Sequence, residues 1–295
     1  MNNVIGYIEH VDSENFFERL LEKFFCKIVF EKYSFDKYII MVNSMELKEK
    51  ELGKLVHKIK QRGINQVVLS NDFTNQKDIF IDHGIHILDG KYLMRNLLKD
   101  IILYIFQDKD VDISKEPLYV TIDDDSNSEI IMDVANLFKS LNIVTCKLKK
   151  LKRLDKKLEE NSELVYSITN NLKKSLKRAR IIVNFDYDEK FFSEAKLNRE
   201  AIIINLCSKK IVLKNTFKGL IIENVDILYR QNCIEMETFN NYNKTEVLES
   251  NIYGKSYNNV TELCRIFECK ITNLVGKNGK ISGAEIKNIL SWQMH

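Results

Sequence analysis

Residues 122 to 129, IDDDSNSE, place Asp123, Asp124 and Asp125 in a row directly after the apolar run LYVTI. Consecutive carboxylates at a strand end can hold a divalent cation, which takes hard oxygen ligands. They can also cap a helix, because an acidic side chain accepts hydrogen bonds from the free N–H groups of a first turn and suits its positive end. A cap at Asp125 or Ser126 is the expected role, with a divalent-ion site on Asp123, Asp124 and Asp125 as the alternative. Asp186 in VNFDYD, the candidate phosphoryl acceptor beside such a metal, lies too far along the chain for ordinary strand spacing.

Other constellations carry less chemistry. DHGIH (82 to 86) offers Asp82, His83 and His86 at a turn into a strand, without a second ligand pair. Cys264 and Cys269, five apart on an amphipathic segment, read as core thiols. GKNGKIS (276 to 282) lacks the spacing of a phosphate-binding loop and reads as a turn through Asn278 and Gly279. Two basic runs, KLKKLKR (147 to 153) and NNLKKSLKRAR (170 to 180), have no interleaved aromatic residues, so no nucleic-acid partner is expected.

The elements that would position these residues alternate between short Ile/Val-rich runs and longer stretches of helical period, the pattern of a mainly parallel α/β sheet. Strands are expected near 3 to 8, 37 to 43, 66 to 70 and 84 to 88, with helices near 13 to 26, 46 to 62 and 91 to 107. A second series has strands near 118 to 123, 143 to 148, 164 to 168, 180 to 185, 200 to 206 and 218 to 229. Helices are expected between those strands, and again near 257 to 269 and 283 to 292. The stretch 241 to 247, NYNKTEV, reads as a mobile loop.

The fold class is therefore α/β with two domains, the second a Rossmann-like doubly wound parallel sheet, plus C-terminal helices. The expected boundaries are 1–110 for an N-terminal α/β domain and 111–235 for the Rossmann-like domain, the cut falling in QDKDVDISKEP before the single proline, Pro117. Residues 236–295 are expected to be a helical segment that packs back on the cleft.

A chain of 295 residues with 45 Lys and Arg against 42 Asp and Glu has no global charge that argues for nucleic acid or membrane. Six cysteines, Cys26, Cys146, Cys207, Cys233, Cys264 and Cys269, are scattered without paired spacing, as in a reducing cytoplasm. The N-terminus lacks the pattern of a secretory signal, and no apolar run is long enough to span a bilayer.

The order of elements resembles the nucleotide-binding domain of the shikimate dehydrogenase family and its relatives among two-domain amino-acid dehydrogenases. The likeness is carried by LYVTIDDDSNSEIIMDVANLFKSLNIVTCKL (118 to 148), KRARIIVNFD (177 to 186) and KGLIIENVDILYRQN (218 to 232), with an echo over 2 to 35. It implies a dinucleotide site at the turn 123 to 127, where glycines normally let the pyrophosphate approach the helix N-terminus. This turn has none. Three carboxylates there should repel a pyrophosphate, so no cofactor is expected, with NADP as the alternative. In that case Lys149, Lys150, Lys152 and Arg153 would bind its 2′-phosphate. The family's substrate lysine would fall near 67 to 77, where Lys77 is the nearest lysine but stands outside any motif. The functional expectation is a non-catalytic or repurposed relative of that group, a binding or regulatory module for an unidentified protein or small-molecule ligand. The alternative is an NADP-dependent oxidoreductase with an atypical phosphate-binding loop.

Overall fold

The computed structural model describes residues 4–11, 27–34, 36–44, 47–107, 111–161, 163–209, 211, 213, 216–230 and 239–291. The chain forms two compact units, Met1–Gly90 with Arg230–Lys255, and Lys91–Tyr229 with Ser256–His295.

The first unit is built on five strands, β1 (Val4–His10), β2 (Ile28–Lys32), β3 (Lys37–Val42), β4 (Ile64–Leu69) and β5 (His86–Ile87), in the order β2-β3-β1-β4-β5. All neighbours run parallel except β2, which pairs antiparallel with β3. The helix α1 (Glu49–Gln61) buries Leu52, Leu55, Val56 and Ile59, one stripe at helical spacing, while the Glu51 carboxylate accepts from the Lys48 N–H at its start. A short helix, α2 (Lys77–Asp82), precedes β5.

The stretch expected to be a mobile loop is instead the start of α9 (Lys244–Ile252). Asn243 caps it by accepting from the Thr245 N–H at 2.9 Å, a local signal that the polar composition obscures. This helix buries Val247, Leu248 and Ile252 in the first unit, and Ser250 meets the Tyr7 hydroxyl at 2.5 Å. Tyr7 also stacks on Phe239, with ring centroids 4.2 Å apart. The expected helix at 13 to 26 lies outside the described residues.

The second unit holds six strands, β6 (Pro117–Thr121), β7 (Ser140–Val144), β8 (Val165–Thr169), β9 (Ile181–Asn184), β10 (Ile202–Asn205) and β11 (Leu220–Ile222). Their order is β8-β7-β6-β9-β10-β11 and every pair is parallel. This is the Rossmann order, in which the strand order reverses between the first and fourth strands. β9 and β10 are buried on both faces, as continuous apolar strands in a doubly wound sheet must be. Helices α5 (Ser128–Ala135), α6 (Lys152–Glu160), α7 (Leu172–Ser175) and α8 (Glu189–Glu194) follow the successive strands.

The compact units do not divide at 110 and 235. Helices α3 (Lys91–Asn96) and α4 (Leu98–Phe106) belong to the second unit, where α4 packs on α5. Their polar heads fix that allegiance: Lys99 pairs with Asp133 at 2.9 Å, and the Tyr104 hydroxyl donates to the Thr272 carbonyl at 2.8 Å. Nor is the end of the chain all helix. Residues 230–255 return to the first unit, while β12 (Asn224–Leu228), β13 (Lys270–Gly276) and β14 (Gly279–Ile281) form an antiparallel sheet beside α10 (Tyr257–Ile266) and α11 (Gly283–Ser291). The turn expected at Asn278 and Gly279 is the hairpin between β13 and β14, with Gly279 at φ 107°.

Gly219 enters β11 so close to its neighbour that a Cβ would lie 2.0 Å from the Ala201 carbonyl oxygen. Gly219→Ala should therefore cost about 1–3 kcal/mol, because backbone must move to admit it. Gly53, inside α1, has nothing within 4 Å of the place a Cβ would take. Gly53→Ala should gain about 0.5–1 kcal/mol. Urea unfolding of both variants checks the pair, and equal effects would contradict the packing described.

Candidate functional site

Chemistry-bearing side chains gather in each unit. In the second, the carboxyl ends of β6, β9 and β10 carry Thr121, Asn184 and Asn205, all fully buried. The Thr121 hydroxyl donates to Asn184 Oδ1 at 2.8 Å, and Asn184 Nδ2 donates to Asn205 Oδ1 at 2.9 Å and to the Tyr187 carbonyl at 2.7 Å. Asn205 Nδ2 donates in turn to Glu223 Oε2 at 2.9 Å. Lys91 brings its ammonium to the Asn205 and Glu223 carbonyls at 2.8 and 2.5 Å. A buried amide needs all its donors and acceptors engaged, and Asn184 also accepts from the Tyr187 N–H at 3.1 Å. The readable signal was the asparagine closing each of the runs IIVN and IIIN.

At the point where the sheet reverses, between β6 and β9, Asp186 Oδ2 accepts from the Asp123 N–H at 2.9 Å. Burial pushes the Asp186 carboxyl up, a rise opposed by that N–H and by the Arg95 guanidinium. Arg95 itself donates to the Phe185 and Leu206 carbonyls, each at 3.1 Å.

The three consecutive aspartates each take a different partner. Asp123 pairs with Lys147 and drives that ammonium's pKa up. Asp124 accepts from the Ser126 N–H at 2.9 Å, and its hydrogen bonds with Ser126 hold its carboxyl below the usual range. Asp125 accepts from the N–H groups of Arg153 and Leu154 at 2.9 and 3.0 Å, capping α6 rather than the helix that follows it in sequence. The expected cap of the following helix is therefore not made; Asp125 caps a helix 28 residues on instead. The three carboxylates do not converge, and among the described residues no three His, Cys, Asp or Glu side chains are grouped as a metal ion would require. In the DHGIH segment, His83 Nδ1 lies 2.9 Å from the Ile79 carbonyl and His86 packs near Tyr253.

Beside this turn a cavity of about 400 Å³ opens at the N-terminal end of α5, lined by Tyr92, Arg95, Ser126, Ser128, Arg153 and Tyr257 among others. Lys149 and Lys150 sit exposed on the 3-10 turn after β7, and Lys152 and Arg153 begin α6. Arg153 joins the cavity wall, with Glu129 3.9 Å from its guanidinium.

In the first unit, Lys77 at the start of α2 pairs with Asp89 at 2.5 Å, and the Asp89 side chain is only 8% exposed. Glu246 on α9 is close enough for both to act on it: burial first, then the Asp89 charge, pushes its carboxyl up to about 8 against the pull of Lys77. Lys77 was singled out only by resemblance. Its partners are 12 and 169 residues away, so no local motif could announce them.

No family model matches the chain, and no curated protein sequence matches it. Solved structures are similar at low identity. Dipicolinate synthase A chain from Bacillus subtilis is 14% identical over 69% of this chain, with a TM-score of 0.36. This chain spans 65% of that protein's length. Shikimate dehydrogenase from Aquifex aeolicus is 10% identical, covers 98% of both chains and has a TM-score of 0.34. D-lactate dehydrogenase with NAD+ from Lactobacillus jensenii is 13% identical over 68% of this chain and 70% of that one, with a TM-score of 0.26.

The second unit, by its strand order, is a Rossmann fold. The expectation that no cofactor is bound is corrected here, because its premise does not hold. That expectation treated three carboxylates as free charges facing a pyrophosphate, whereas each is engaged by Lys147 or by backbone N–H groups. Among the described residues no helix is long and apolar enough to cross a membrane.

The raised carboxyl of Glu246 sets a pH dependence. The folded protein keeps that proton from its ordinary value of 4.5 up to about 8, whereas the unfolded chain releases it. Its contribution to stability is therefore full below the lower value and is lost as pH rises through the upper one. Glu246→Gln should flatten the fall in stability between about pH 5 and pH 8 and leave the variant the more stable at the alkaline end. Denaturant unfolding across that range checks this, and parallel curves would contradict it.

Proposed function

We propose that this chain is a repurposed relative of the two-domain dehydrogenases, a binding or regulatory module that takes an NADP-type dinucleotide where its Rossmann sheet reverses. The observation that carries the reading is the cavity walled by Arg95 and Arg153 as well as Asp125 and Glu129, beside which Asp123 is paired with Lys147 and Asp125 accepts from the start of α6. With Asp123 paired to Lys147 and Asp125 capping α6, phosphate charge at the N-terminal end of α5 would meet two guanidinium groups and the helix's positive end. The adenosine end of the ligand would lie past β7, where Lys149, Lys150, Lys152 and Arg153 supply cations for a 2′-phosphate. The regulatory reading rests on the missing glycines, which leave the pyrophosphate without the close backbone approach that hydride-transfer enzymes use to fix the nicotinamide.

A second reading, an NADP-dependent oxidoreductase, is favoured by one observation. Lys77, Asp89 and Glu246 form a set of acid–base groups, one of them titrating near neutrality, as proton transfer during carbonyl reduction requires.

Calorimetric titration separates these from a protein that takes no dinucleotide. NADP should bind saturably at micromolar concentration and more tightly than NAD. The variant Lys149→Gln should weaken NADP about tenfold and leave NAD nearly unchanged, as the loss of one charge-assisted contact predicts. Equal losses for both dinucleotides would contradict the assignment of that lysine. Conversion of a carbonyl substrate with NADPH that Lys77→Met abolishes would favour the enzyme over the module.

A further inference from the structure

Helix α10 ends in a Schellman motif. The Cys269 N–H donates to the Cys264 carbonyl at 2.9 Å, and the Glu268 N–H donates to the Arg265 carbonyl at 3.1 Å. These are the paired bonds of that motif, which needs a left-handed residue at the penultimate position. Here it is Glu268, at φ 51°, the one non-glycine residue with positive φ among those described. The motif brings its first and last side chains together, ordinarily as an apolar contact. In this chain those two side chains are both cysteines.

The 2.9 Å hydrogen bond, with the covalent lengths on either side of it, caps the Cα separation of Cys264 and Cys269 at about 6.8 Å, the outer limit for disulfide-forming pairs. Both thiols are free. Both cysteines line a cavity of about 540 Å³ with Lys99, Asp100, Asp133 and Arg265, where Cys264 is buried and Cys269 half-buried. Cys269 is thus the more exposed of the two to a small reagent.

We propose that Cys264 and Cys269 form a reversible dithiol–disulfide site at the end of α10, oxidised by low-molecular-weight disulfides. The Cys269 thiolate attacks one sulfur of the reagent, forming a mixed disulfide and expelling the other sulfur as a thiolate that takes up a proton. Cys264 then loses its proton to solvent and attacks the Cys269 sulfur, breaking the mixed disulfide and releasing the second small thiol. Two protein thiols give up two electrons and two protons, and one reagent disulfide becomes two thiols. The Cys264 S–H bond to Cys269 lowers the pKa of the Cys269 thiol, which suits it as the attacking group, while Cys264 is pushed up, as suits the resolving group. The bridge would pin the helix end to β13 and remove both thiols from the cavity wall.

The test incubates the full chain with oxidised glutathione, quenches by alkylation and maps peptides by mass spectrometry. The expected result is an internal Cys264–Cys269 bridge that dithiothreitol reverses and that forms at least tenfold faster in the folded chain than in urea. In Cys264→Ala, whose fold is checked by circular dichroism, glutathione should remain trapped on Cys269. Glutathione accumulating on Cys146 with no internal bridge would overturn the proposal, as would equal rates of bridging in folded and unfolded chain. The rate comparison uses the unaltered sequence and stands even where the variant fails to fold.

Discussion

The second unit depends on the buried amide ladder that ties the carboxyl ends of its central strands. Thr121, Asn184 and Asn205 are each inaccessible to water, and each is matched by a neighbour in the row from β6 through β9 to β10. Removing any one partner would leave a buried polar group unsatisfied, at a cost of about 1–3 kcal/mol. The ladder therefore fixes where the strands end and, with them, where the loops begin. Asp123 and Asp186 leave β6 and β9 from this fixed edge and close on each other through one hydrogen bond. The cavity at the N-terminal end of α5 is bounded by the same loops.

Charge at this edge is arranged rather than merely accumulated. Ionisable residues crowd the segments 123 to 125 and 147 to 153, and the pattern of engagement decides which of them a ligand meets. Asp123 takes Lys147, and Asp125 takes the start of α6, so these anions are offset internally while Arg153, Lys149 and Lys150 are left toward solvent or the cavity. The same contacts hold β6 to the helix after β7, which is how a turn without glycine keeps a compact geometry. A glycine loop leaves its backbone N–H groups for a phosphate; here side chains have taken several of them.

The parallel sheet was legible because strands buried on both faces read as continuous apolar runs, and 181 to 184 and 202 to 205 are pure Ile and Val apart from their closing asparagines. Charge contacts were not legible. A row of aspartates states its charge but not which way each side chain turns, and Asp125 finds its partners 28 and 29 residues on. Helices α3 and α4 have the same periodicity whichever unit they join, and what decides is Lys91, Arg95 and Lys99 reaching acceptors far along the chain. The antiparallel sheet at the chain end was missed because Cys269 follows α10 through a left-handed Glu268, with no glycine to mark the stop.

Under the proposed function, the ligand's phosphates lie in the crevice lined by Arg95, Arg153 and the start of α5. Amide hydrogen exchange measured with and without NADP tests it residue by residue. Slowed exchange confined to residues 92, 95, 96, 125 to 130, 153, 256 and 257 is the predicted result, since these residues line the crevice. Unchanged exchange there, or protection elsewhere in the unit, would contradict it.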